Sequence, residues 1–138
     1  MRKILAVFML FAGLNLAAGE KMQNLKIVLK SSNGEVTAIL DDTAAARSFA
    51  AQLPLTLNLE DYGGREKVAK LPKRLDISGS PVGSDGKKGE ISYFAPWNNF
   101  VIYYGYQPSY EGIVRLGVIE GDVSLVAKDG QIKIELAE

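Results

Sequence analysis

The chain has 138 residues, equal numbers of acidic and basic side chains, and neither Cys nor His. The length fits one domain. The missing residue types exclude disulfides, thiol nucleophiles, the usual triad base and the usual zinc and haem ligands. The balanced charge gives no electrostatic footprint for nucleic acid.

The chain opens with Arg2 and Lys3, an apolar run from Ile4 to Leu16, and the small residues Ala17, Ala18 and Gly19. This is the three-part pattern of a secretory signal. The expectation is a signal peptide over residues 1–19, cut after Gly19, and an exported domain over residues 20–138. A retained N-terminal anchor is the alternative. The run is short of the roughly 20 apolar residues that a span needs, so no membrane span is expected after cleavage. The mature chain would carry two more acids than bases. Without disulfides its stability must come from the core, which a chain of this size can supply.

Leu25, Ile27 and Leu29 alternate with Lys26 and Lys30, the period of a half-buried strand. Ser32-Asn33-Gly34 turns the chain, and Val36, Ala38 and Leu40 continue as a second strand. Asp42 or Thr43 can cap a helix whose stripe is Ala46, Phe49, Ala50 and Leu53. Pro54 ends it. This helix is expected to close one mouth of the sheet.

Leu55, Leu57 and Leu59 mark a third strand, the Gly63-Gly64 turn follows, and Val68 to Leu71 is a short fourth. Lys73 to Gly89 has no period and reads as a surface excursion, with a short strand near Leu75–Ile77. Ile91, Tyr93 and Ala95 alternate. Phe100 to Tyr104 is apolar or aromatic throughout, so both of its faces must be covered. Gly105 to Gly112 reads as a loop and Ile113 to Ile119 as a strand. A helical turn can begin at Gly121-Asp122, and Ile132, Ile134 and Leu136 form a closing strand. Many short strands with turn punctuation favour a barrel.

Several phrases occur in one order: Leu53-Pro54-Leu55-Thr56-Leu57, Glu60-Asp61-Tyr62-Gly63-Gly64, Gly89-Glu90-Ile91-Ser92-Tyr93, Ala95-Pro96-Trp97-Asn98-Asn99 and Arg115-Leu116-Gly117. Together they resemble the bacterial cyclophilin-like domain family, related in fold to prolyl isomerases. The resemblance implies a mainly β fold: a closed β-barrel of about eight strands with one or two capping helices. Active isomerases of that fold carry a Phe-His-Arg phrase, which this chain lacks. The resemblance therefore carries the fold and not a catalytic residue.

Eight of the twelve aromatics lie between Gly89 and Tyr110. Trp97, Asn98 and Asn99 at a turn, beside Tyr93, Tyr103 and Tyr110, suggest a ligand contact. The competing reading folds Trp97 back as a plug in the barrel end. Glu60, Asp61, Arg65, Glu66 and Lys67 form a charged turn, and the adjacent acids Glu60 and Asp61 point to opposite faces if extended. Arg115 is expected to pair with Glu60 or Glu111, or to reach an anionic ligand. No cofactor or metal is implied. The functional expectation is a non-catalytic domain that binds a small ligand or extended peptide through Tyr93, Trp97, Asn98, Asn99, Tyr103, Tyr110, Arg115, Glu60 and Arg65. The alternative is a weak prolyl isomerase using Arg65 or Arg115. A carboxylate-dependent hydrolase is third.

Overall fold

A computed structural model describes residues 25–138. The signal-peptide reading of residues 1–19 lies outside the described residues. The strands are β1 Lys26–Ser31, β2 Gly34–Leu40, β3 Leu55–Tyr62, β4 Glu66–Lys70, β5 Gly83–Gly86, β6 Glu90–Phe94, β7 Asn99–Tyr103, β8 Gln107–Glu111, β9 Ile113–Glu120 and β10 Gly130–Leu136. Eight of them close an antiparallel barrel in the order β1-β10-β3-β4-β7-β6-β9-β2. β5 and β8 form a separate two-stranded flap.

The barrel interior follows from period-two alternation. Ile27 and Leu29, Leu55, Leu57 and Leu59, Ile91 and Tyr93, Phe100 and Ile102, and Ile132 and Ile134 all point inward and join one core. Helix α1, Ala44–Ala50, follows β2 and covers one mouth. The Thr43 side chain accepts from the Ala46 amide at 3.1 Å, satisfying one free donor of the first turn. The helix stops at Ala50, and Leu53 packs on the core from beyond it. At the opposite mouth a 3-10 turn, Val123–Leu125, buries Val123, and Val126 follows it into the core. One α-helix and one helical turn thus cap the eight-stranded barrel.

Two segments differ from the expectation. No strand forms near Leu75–Ile77; Leu75 is buried there by packing beneath the barrel mouth rather than by pairing. Residues 105–112 are not all loop, because Gln107–Glu111 pairs with Gly83–Gly86. The flap lies over the outer wall of β6, β7 and β9. It supplies the second cover that the apolar run of β7 requires: Phe100 and Ile102 face the core, while Val101 and Tyr103 are buried on the other side.

Phe49 is fully buried and stacks on Phe100, with ring centroids 5.3 Å apart and planes 4° from parallel. Phe49→Ala removes that ring from the only α-helix among the described residues. A loss of about 3–5 kcal/mol is expected in urea denaturation. A loss below about 1 kcal/mol would contradict this packing.

Candidate functional site: an aromatic groove on the outer wall

The turn between β6 and β7 is a 3-10 turn, Ala95–Trp97, closed by Asn98 in the left-handed region at φ 56°. Asn tolerates that region better than most residues. Its side chain is the anchor of the turn. The Tyr93 hydroxyl donates to Asn98 Oδ1 at 2.8 Å, and Asn98 Nδ2 donates to the Leu71 carbonyl at 3.0 Å. The Leu71 amide donates back to the Asn98 carbonyl at 2.9 Å. The Leu75 amide donates to the Tyr93 hydroxyl at 3.3 Å. Tyr93 is 1% exposed. Tyr93 and Asn98 therefore hold the turn and do not line the groove, contrary to the expectation. A Tyr one residue out of step with Phe94 had to choose the core face.

Held this way, Trp97 points outward and is 49% exposed, so it does not plug the barrel. It meets Phe94 at 5.2 Å between centroids and 88° between planes, and Tyr62 at 5.5 Å and 80°. Phe94 in turn meets Tyr110 at 6.0 Å and 47°. Edge-to-face rings of this kind form walls rather than a stack. They open on a cavity of about 220 Å³. Its floor is the outer wall of the barrel: Val68 and Glu66 on β4, Asn99 and Tyr103 on β7, and Ile113 on β9. Gln107 and Tyr110 on the flap strand β8 make its far side.

Of the residues expected at a site, Trp97, Asn99, Tyr103 and Tyr110 come together here. Tyr62, Glu66, Val68, Phe94, Gln107 and Ile113 join them and were not expected. Tyr62 and Glu66 are cross-strand partners across the Gly63-Gly64 turn; placing the hairpin tip at those glycines would have put both on one face. Glu60 stands opposite Val68 on the same strand pair but is exposed beyond the lining. Arg65 is also outside it, near the Tyr106 carbonyl.

Arg115 does not pair with Glu60 or Glu111. Its guanidinium binds Asp41 through Nε at 2.9 Å and Glu90 through Nη1 at 2.8 Å. Cross-strand geometry explains the change: Arg115 sits opposite Ser92, near the base of β6, where Glu90 is 7% exposed and needs a cation. A larger recess of about 470 Å³ adjoins Arg115, Asp41, Asp42 and Arg47, but Arg47 is already paired with Asp42 at 2.6 Å. In the charged turn, Lys67 bridges Asp61 at 3.2 Å and Asp129 at 2.7 Å, and the Tyr104 hydroxyl donates to Asp61. No group of three metal-ligating side chains occurs among the described residues.

The groove contains one ionisable carboxyl. Burial pushes Glu66 above its ordinary 4.5, while the neighbouring Arg65 guanidinium pulls the other way. Among the described residues Glu66 makes no ion pair. Burial first, and the Glu66 charge second, push the Tyr103 hydroxyl well up, so it stays protonated and available as a donor.

These features define a class: a small closed antiparallel barrel carrying an open aromatic groove on its outer wall. The sequence matches the Cyclophilin-like family over residues 29–137, and the chain belongs to that family. A hypothetical protein from Archaeoglobus fulgidus, whose solution structure is known, has a similar fold, with a TM-score of 0.60 at 15% identity. The match covers 83% of this chain and 96% of that one, and at this identity it shows the fold alone. No curated protein matches the sequence.

A carboxyl held above its unfolded value binds its proton more tightly when folded. Stability should therefore fall as pH rises from about 4.5 through the raised value. Glu66→Gln lacks this loss. Urea midpoints at pH 4 and pH 7.5 are expected to show the variant gaining on the wild type at the higher pH. An equal difference at both pH values would mean that Glu66 is not strained by its burial.

Proposed function

We propose that the protein is an exported, non-catalytic binding domain whose outer-wall groove takes a small ligand or a short extended peptide segment. The observation that carries this reading is the cost of leaving the groove as it is. Tyr62, Trp97 and Tyr110 are each about half exposed around one open cavity. Clustered large aromatics facing water are an unfavourable surface unless something covers them. Besides the tyrosine hydroxyls, the polar side chains of the lining are Asn99, Gln107 and Glu66, a small set that suits orienting a ligand. Export rests on the basic, apolar and small-residue order of residues 1–19.

The alternative, a weak prolyl isomerase, has less behind it. Arg115 is engaged by two carboxylates and lies outside the groove, and Arg65 is directed to the Tyr106 carbonyl. Neither is free to polarise an amide in the cavity.

Trp97 is the chain's one tryptophan, so intrinsic fluorescence reports this site without labelling. Titration with a panel of proline-containing peptides and small metabolites should yield at least one saturable change in emission. The same ligand should give no heat of binding with Trp97→Ala. A panel that leaves the emission of the wild type untouched would remove the groove from consideration.

A further inference from the structure

We infer that the groove is selective for a quaternary ammonium group on a small molecule. This rests on the groove being a binding site at all, and it names the chemistry of the occupant. Three observations lead to it.

The first is the walls. Tyr62, Phe94, Trp97 and Tyr110 surround the cavity with rings set at steep angles to one another. All four residues line the cavity, so more than one ring borders whatever occupies it. Aromatic faces carry negative charge in their quadrupole and attract a cation within about 6 Å, most strongly for Trp.

The second is charge. Glu66 is the one charged side chain in the lining. No Lys or Arg lines the cavity; the nearby Lys70 ammonium donates to the Trp97 carbonyl at 3.2 Å. An anionic ligand would meet Glu66 with no cation in the lining to offset it, because Arg65, the nearest guanidinium, stands outside the cavity. A neutral ligand would leave Glu66 half-buried with no ion pair. A cation satisfies both the carboxylate and the rings.

The third is that the lining holds a single charged hydrogen-bond acceptor. A primary ammonium is strongly hydrated and carries three donors that must be satisfied. The lining offers one charged acceptor, the Glu66 carboxylate, beside the neutral amide oxygens of Asn99 and Gln107 and the hydroxyls of Tyr62, Tyr103 and Tyr110; the rest is ring or aliphatic surface. A quaternary ammonium has no N–H donors and is weakly hydrated. It loses little on entering and gains the rings. A cavity of about 220 Å³ suits such a head group.

The test compares choline with 3,3-dimethylbutan-1-ol, which has the same shape with carbon in place of the charged nitrogen. Both are titrated into the purified protein by calorimetry. Choline is expected to bind at least tenfold tighter, the equivalent of 1.4 kcal/mol. In Glu66→Gln the ratio should fall towards one. Equal affinities in the wild type would overturn the inference and leave a plain apolar groove, so the binding reading would survive. Silence from both compounds would also overturn it. If the fluorescence panel is silent as well, the binding reading fails with it. A tenfold ratio that persists in Glu66→Gln would overturn the role of the carboxylate. The wild-type ratio decides the charge preference even if the variant does not fold.

Discussion

The hydrogen bonds around Asn98 are the constraint on which the groove depends. One side chain joins the barrel interior, through the Tyr93 hydroxyl, to the loop across the mouth, through the Leu71 carbonyl. The left-handed backbone at Asn98 then reverses the chain so that its neighbour Trp97 leaves the core. Buried polar groups of this kind are costly when half satisfied and rigid when fully satisfied. Tyr93 and Asn98 have partners for their side-chain oxygens, which is why a turn carrying the chain's only Trp keeps one geometry.

The second constraint is the double burial of β7. Its inner residues, Phe100 and Ile102, complete the core, and its outer residues, Val101 and Tyr103, are buried on the other side, with the flap lying on the Tyr103 ring. The flap reaches Tyr103 only because residue 86 is Gly. A Cβ there would fall 2.3 Å from the Tyr103 ring. The backbone thus lies flat on the ring, and β8 brings Tyr110 and Gln107 to the edge of the cavity. Core, flap and groove are therefore one mechanical unit, and the groove's shape is set by packing on both sides of a single strand.

Much of this was legible in the sequence. Alternation marked the barrel strands, because each has one face in the core. The stripe through Ala46 and Phe49, with Thr43 before it, marked the helix, and the aromatic hairpin marked the region of the groove. The flap was not legible. Gly83-Ser84-Asp85-Gly86 and Gln107-Pro108-Ser109-Tyr110-Glu111 have no apolar alternation, because they cover a surface rather than bury a face, and Pro108 reads as a break. The partners of Arg115 were also hidden, since Asp41 and Glu90 are brought to it by barrel closure and not by nearness in the chain. Which aromatics line and which anchor was readable in part. Tyr93 shares the core face with Ile91, and that parity alone separates it from Phe94.

The most direct test of this account is the solvent accessibility of Trp97 with and without its anchor. Acrylamide quenching of the native protein should be intermediate between that of a buried and a free indole. It should rise towards the free value in Tyr93→Phe, where Asn98 Oδ1 loses its donor. A blue-shifted, protected native emission that Tyr93→Phe leaves unchanged would mean that Trp97 is packed inside the barrel. The groove as described would then not exist.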